Sequence, residues 1–313
     1  MSAIVSHLSD RLTLAPEAYG PYCTFTQFVE LFCSIRHASL RQTTIDRVYG
    51  PAFRSFLRIC GDKRLDQYRL LDVEYFKSQR SQHCSLTTVN IEFRTLRAAF
   101  GLAVRLGMIE KNPFASSTQL RVPERLPIHL SEEHFWEFIS RVKEPLLRDL
   151  FTFAALTGLR QGEILSLRWS DVDLDQKVIF VANSASFSTK SGKCRTVPMN
   201  ETVFRLLARL QASVHQHQHI FEREGKVLTQ SYVSHKFKRY VRAAGLSEAL
   251  KFHSLRHTFA TWLAKRAASL YEVQTLLGHS SAKTTQIYAH LSGSHMHATV
   301  RKIDLVMEGV VSP

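Results

Sequence analysis

The chain has 313 residues, 44% hydrophobic and 22% charged, enough for two ordinary domains with cores of their own, which excludes a largely disordered polypeptide. Lysine and arginine outnumber aspartate and glutamate by 41 to 27, a net charge of +14, so the expected partner is a polyanion: DNA, RNA or an anionic membrane surface. The longest apolar stretches, such as 150–156, are far short of a membrane span, and residues 1–10 carry no basic region followed by an apolar core, so the expected location is the cytoplasm.

In chain order, residues 24–113 read as a helical domain of four or five short helices. The clearest covers 86–106, where Val89, Phe93, Leu96, Phe100 and Ala103 recur at helical spacing, Thr87 or Thr88 can cap the start and Gly107 ends it. Segments 25–35 and 44–59 carry similar apolar stripes. Asn112-Pro113 stops the last helix, and 116–127 mixes Ser, Thr, Pro and charge without periodicity, as a linker does. A second domain opens at Ser131, placed to N-cap a helix with Glu132 and Glu133 where negative charge suits the helix dipole.

Strand character is confined to 169–199. Val178–Val181 is rich in β-branched residues, and 186–190 and 194–198 flank the tight Ser191-Gly192-Lys193 turn as a hairpin would. Helices resume at Glu201. In 231–244, Val233, Phe237, Tyr240 and Val241 form an apolar stripe, while His235, Lys236, Lys238, Arg239 and Arg242 form a basic face suited to DNA phosphates, or simply to water.

Cys23, Cys33, Cys60, Cys84 and Cys194 are odd in number, scattered and never paired as C-x-x-C, so they read as reduced packing residues. No G-x-x-x-x-G-K-[ST] or G-x-G-x-x-G loop occurs, so chemistry without a cofactor is expected. His215, His217 and His219 form an H-x-H-x-H run, but with no cysteine beside it a metal site is not expected.

Five segments carry chemistry-bearing residues. Gly158 closes an apolar helix, Arg160 begins the next, and Glu163 stands one turn on, placed to orient the guanidinium fork. Lys190 sits at the hairpin tip. His253 and Arg256 share a helical face, while Leu255, Phe259 and Trp262 turn toward packing. Gly278 stops another amphipathic helix just before His279, and Tyr288 follows nine residues later. Each segment also has a structural reading: an Arg–Glu pair on a helix, a solvated loop lysine, a polar helix face, a helix cap, a core tyrosine. Two guanidinium forks for a phosphate, a lysine for a leaving oxygen, two imidazoles for protons and a tyrosine to attack are, together, what phosphodiester transesterification needs.

In order and spacing, T-G-L-R-Q-G-E at 157–163, T-K-S-G-K-C-R-T-V-P at 189–198, H-S-L-R-H-T-F-A-T at 253–261, L-L-G-H-S-S at 276–281 and T-T-Q-I-Y-A-H at 284–290 resemble the tyrosine recombinases, the lambda-integrase-like and Xer-like site-specific recombinases. The resemblance covers nearly the whole chain. It implies a mainly helical protein: a short extension (1–20), a helical SAM-like core-DNA-binding domain (21–115), a linker (116–127), a mixed α+β catalytic domain with a small antiparallel sheet (128–292) and a tail helix (293–313) exchanged between subunits. The extension is too short for a separate arm-DNA-binding domain.

The resemblance also implies double-stranded DNA as substrate and a homotetramer on synapsed sites, or a mixed tetramer with a second recombinase. Tyr288 would form a 3′-phosphotyrosyl link without ATP or metal. Arg160, Arg256 and His279 would hold the phosphate, Lys190 would protonate the 5′-oxygen, His253 would take the tyrosyl proton and Glu163 would support the arginine. Lys236, Lys238, Arg239 and Arg242 would contact DNA. The competing readings are a catalytically silent DNA-binding regulator and a type IB topoisomerase-like relaxer. The tail helix and small helical domain speak against the relaxer, and the complete polar set against the regulator.

Overall fold

The computed structural model describes residues 22–123, 126–181, 194–212, 218–266, 268–279, 281 and 283–288. The chain divides into two compact units, Met1–Glu124 and Arg125–Pro313. Both are mainly helical, and the described strands are confined to the second. Among the described residues, no helix is long and apolar enough to cross a membrane.

The first unit contains α1 (Phe25–Arg36), α2 (Gly50–Cys60), α3 (Leu70–Ser81) and α4 (Leu86–Arg105). A turn at Gln42–Thr44 and a wider π-helical stretch at Ile45–Tyr49 lead into α2. Pro51 explains the widening, because it has no N–H to give the carbonyl of Arg47 and the ladder must shift. The core is built from phenylalanine: Phe25, Phe28, Phe56, Phe100 and Phe114 are essentially fully buried, and Phe100 stacks on Phe25 with ring centroids 5.8 Å apart. All five stripe residues expected on α4 are buried. Its N-cap is Ser85 rather than Thr87 or Thr88, with Oγ accepting from the Thr88 N–H.

Part of the stretch read as linker is fastened to this unit. Asn90 on α4 donates from Nδ2 to the Leu120 carbonyl and accepts the Leu120 N–H at Oδ1, both at 2.8 Å. The buried Lys77 ammonium donates to Ser117 Oγ (2.9 Å) and to the Thr118 carbonyl (2.8 Å).

The second unit contains α5 (Glu132–Arg141), α6 (Pro145–Thr157), α7 (Gln161–Ser166), β1 (Val172–Asp173), β2 (Val178–Val181), β3 (Arg195–Pro198), α8 (Glu201–Ala212), β4 (Glu222–Arg223), β5 (Lys226–Val227), α9 (Gln230–Ala243), α10 (Ser254–Lys265), α11 (Leu270–Leu277) and α12 (Lys283–Gln286). Ser131 caps α5 as expected, its Oγ accepting from the His134 N–H. Helix α6 is apolar on nearly every side and fully buried at Leu150, Phe151, Phe153 and Ala155. It forms the spine of the unit, packing on α5, α8 and α10.

The antiparallel order β1-β2-β3 pairs Val181 with Arg195 and Ile179 with Val197. Side chains alternate across a strand, so Arg195 shares the inward face with Val197 and Val181 while Thr196 and Phe180 face out. β3 therefore pairs with Val178–Val181; residues 186–190, read as its hairpin partner, lie outside the described residues, as does Lys190. Strands also extend beyond 169–199, since β4 and β5 form a second hairpin. The tail helix read at 293–313 is outside the described residues as well.

Candidate active site in the second unit

Two glycines set the scaffold. Gly158 ends α6 at φ +64°, and a Cβ there would stand 2.3 Å from the Phe259 ring. Gly278 ends α11 at φ +64°, where a Cβ would meet Arg195 Cδ at 2.9 Å. Left-handed backbone and close approach both require glycine at these positions. The chain thus turns sharply twice, and each turn releases helix-end carbonyls toward the same place.

Glu163 lies in the first turn of α7 with its carboxylate wholly out of solvent. Its Oε2 accepts the Arg160 N–H (2.8 Å) and Arg195 Nη2 (2.7 Å), and its Oε1 accepts Arg160 Nη1 (2.9 Å) and Arg195 Nη1 (3.1 Å). Burial alone would raise its pKa, but Arg195 first and Arg160 next hold it below the usual carboxylate range.

Three successive carbonyls at the end of α11 each take a different arginine. Arg195 Nε donates to Leu276 (3.1 Å), Arg256 Nη2 to Leu277 (2.5 Å) and Arg160 Nη2 to Gly278 (3.2 Å). Arg256, 3% exposed, also donates from Nη1 to the Gly158 carbonyl at 2.7 Å. Burial lowers its pKa to about 9, with the charges of Arg160 and Arg195 acting the same way against Glu163. It stays cationic at neutral pH. Three cations at a helix C-terminus neutralise the negative end of its dipole.

His279 follows that helix end, its Nδ1 2.9 Å from Thr285 Oγ1. The Thr285 carbonyl in turn accepts the Tyr288 N–H. Tyr288 is 2% exposed, in a small cluster with Ala260, Ala264, Val273 and Leu277. Its hydroxyl lies 2.6 Å from His257 Nδ1. Burial pushes the phenol up to about 12 against the pull of Arg256. Burial first, then His253 and Arg256, bring His257 down to about 4; burial, Arg256 and Arg160 do the same for His279.

Of the residues singled out from sequence, Arg160, Glu163, Arg256 and His279 are brought together here, and Tyr288 is tied to the same framework through Thr285 and His257. His253 is the N-cap residue of α10, and its ring meets that of His257 edge-on with centroids 5.0 Å apart. Sequence reasoning assigned no role to Arg195 or His257, although both stand inside quoted motifs. The inward register of β3 is the signal for Arg195; for His257, placed i,i+4 from His253, it is the shared helix face.

On α9 the apolar stripe Val233, Phe237, Tyr240 and Val241 is buried as expected. The basic face is largely engaged. Lys236 donates to Glu144 at 2.6 Å beside the hydroxyls of Tyr232 and Tyr240, which bind the same carboxylate. Lys238 donates to the Glu248 carbonyl, Arg242 pairs with the Glu248 carboxylate at 3.1 Å, and Arg239 is exposed. Among the described residues no cluster of three His, Cys, Asp or Glu side chains could hold a metal; His215 and His217 lie outside them. All five cysteines are free.

Residues 130–295 match the phage integrase family, and residues 6–120 match the phage integrase SAM-like domain. The chain is similar to tyrosine recombinase XerC of Alcanivorax borkumensis, 32% identical over 222 residues, covering 67% of this chain and 70% of the relative. It is also similar to tyrosine recombinase XerD of Lacticaseibacillus casei, 30% identical over 243 residues, covering 74% and 81%.

Among solved structures the fold resembles the Tn1549 transposon integrase in complex with transposon right end DNA, with TM-score 0.76 and 22% identity over 90% of this chain and 100% of that one. It also resembles the lambda integrase tetramer bound to a Holliday junction, with TM-score 0.72 and 19% identity over 90% and 86%. Fold and sequence together define an integrase-type catalytic domain preceded by a SAM-like helical domain. The chain belongs to the phage integrase family and is a tyrosine recombinase.

Proposed function

We propose that this recombinase cuts and rejoins double-stranded DNA at specific sites through a 3′-phosphotyrosyl intermediate, with Tyr288 as nucleophile. The phenol oxygen attacks phosphorus, the 5′-oxygen leaves, and the bond energy kept in the phosphotyrosine lets a 5′-hydroxyl reverse the step without ATP. Arg160 and Arg256 hold the non-bridging oxygens, where negative charge concentrates in the transition state, and His279 adds a third donor. Glu163 fixes Arg160. Lys190 supplies the proton for the departing oxygen. An imidazole at the start of α10 takes the tyrosyl proton: His253 at the N-cap is the residue the sequence points to, and His257 stands one turn further on.

The observation that carries this reading is the arrangement of two buried or half-buried guanidiniums, both anchored to main-chain carbonyls at the end of α11, in the same framework as a tyrosine whose hydroxyl meets an imidazole at 2.6 Å. Such preorganised cations supply the charge neutralisation that metal ions supply elsewhere, and losing one such donor typically costs about 3–4 kcal/mol in the transition state.

DNA is held partly by α9, through the outward cations Lys238, Arg239 and Arg242, with Lys236 committed to Glu144. The working assembly is a homotetramer on synapsed sites, or one mixed with a second recombinase. Docking of the 293–313 segment on a neighbouring subunit would hold it together.

Nicked suicide substrates drawn from DNA flanking the gene test the reading on denaturing gels. A covalent adduct present in wild type and absent in Tyr288→Phe supports it. An adduct that survives in Tyr288→Phe overturns the nucleophile, and binding with no adduct across many sites favours the silent regulator.

A further inference from the structure

We propose that His257, one turn beyond His253 on α10, is the group that accepts the Tyr288 proton during DNA cleavage. The assignment rests on Tyr288 being the nucleophile.

Geometry carries it. His257 Nδ1 lies 2.6 Å from the tyrosyl oxygen, within the range required of a general base before any rearrangement. The contact spans 31 residues of sequence and joins α10 to the turn that follows α12, with ring centroids 6.2 Å apart and planes inclined at 47°. Tyr288 is 2% exposed, so its proton has little access to bulk water. Among the described residues, the charged and titratable groups facing His257 besides Tyr288 are Arg256 on its own helix, His253 at that helix's N-cap, His129 ahead of α5, and His279 beyond α11. None of these is a carboxylate that would make the imidazole cationic. With the imidazole and the phenol both neutral at pH 7, the phenol donates and Nδ1 accepts, which leaves the imidazole's own hydrogen on Nε2.

In this resting pair proton transfer is far uphill. It becomes favourable as the oxygen–phosphorus bond forms, because the tyrosyl oxygen then loses its basicity and negative charge builds on the phosphate beside the new imidazolium. The Tyr288 Oη–P bond forms and the P–O5′ bond breaks. The phenolic proton passes to Nδ1, and the departing 5′-oxygen takes a proton from Lys190. Rejoining runs both transfers backward.

The test is single-turnover cleavage of a nicked substrate by the full chain, with a normal 5′-oxygen and with a 5′-bridging sulfur that leaves without being protonated. His257→Ala is expected to slow cleavage on both substrates by about 10²–10³-fold while DNA binding in gel shifts is kept. Its rate should rise more steeply with pH than the wild type, and added imidazole should restore part of it. His257→Asn, which can hydrogen-bond but has no basic nitrogen, should be equally slow and fold normally by circular dichroism, guarding against misfolding of the alanine variant.

A rate within threefold of wild type in the folded asparagine variant overturns the proposal. So does a defect abolished by the bridging sulfur, which would place His257 at the leaving group, or the expected pattern appearing in His253→Ala instead. An adduct persisting in Tyr288→Phe would instead remove the nucleophile itself, a failure readable without any His257 variant.

Discussion

Arg195 and Glu163 meet at 2.7 Å with side chains 9% and 0% exposed, an arginine on the inward face of β3 locked to a carboxylate in the first turn of α7. The same carboxylate holds Arg160, so the strand acts on the proposed phosphate clamp through one shared anion. Arg195→Met leaves that buried carboxylate with half its partners. Removing one member of such a pair costs about 3 kcal/mol, seen as a lower urea midpoint, and cleavage of suicide substrate should fall at least tenfold with DNA affinity little changed. Arg195→Lys restores the charge but not the span between two carboxylate oxygens and the Leu276 carbonyl, so only part of either loss should return. Unchanged cleavage in the methionine variant would refute the coupling.

Gly158→Ala should destabilise by at least ~2 kcal/mol, because left-handed backbone strain adds to a Cβ placed 2.3 Å from the Phe259 ring. Phe259→Ala in the same chain removes the clash but not the strain. The double variant should therefore be more stable than the sum of the two singles predicts, a non-additivity that denaturant titrations of all four proteins can measure.

Lowering the pH should weaken the second unit before its carboxylates titrate. His257 and His279 are both depressed from 6.5 to about 4 in the folded chain. Between those values the unfolded chain binds protons that the folded chain refuses, so stability declines as pH falls through the window. Glu163 is depressed too, and its contribution is present above the unfolded carboxylate pKa and lost only at more acid pH. Unfolding free energy should thus drop from pH 7 to pH 5, with a shallower slope in a His257→Gln, His279→Gln double variant. A flat profile in wild type over that interval would contradict the burial of neutral imidazoles.

In the first unit, Asn90→Ala removes both hydrogen bonds to Leu120 and should cost about 2 kcal/mol. Limited proteolysis should then cut within 116–123 much faster than in wild type, while equal cleavage rates would show that the Lys77 contacts suffice.

Local signals were the legible ones. Gly158, Gly278 and Ser131 are readable because a helix end is written in a few adjacent residues, and the apolar stripes of α4 and α9 because burial repeats with the helix. The α4 cap is ambiguous in the sequence because three hydroxyls at Ser85, Thr87 and Thr88 compete for one role, and the structure gives it to Ser85. The β4–β5 hairpin has strands of two residues, too short to alternate, although Glu224 at φ +52° and Gly225 at φ +74° form the left-handed pair such a turn favours. The Arg195–Glu163 and His257–Tyr288 contacts join residues 32 and 31 positions apart, and no periodicity within one helix or strand encodes a meeting between two.

The end of α11 bears on how such enzymes can be assembled from parts. Its three last carbonyls are matched to guanidiniums contributed by β3, by α10 and by the turn before α7, so it works as a socket cut for three separate keys. A chimaera that imports 270–288 from a relative must import, or already possess, all three arginines at compatible positions. Exchange of whole halves across the 124–125 division leaves the socket and its keys on one piece, whereas a junction anywhere between 160 and 278 splits them between parents.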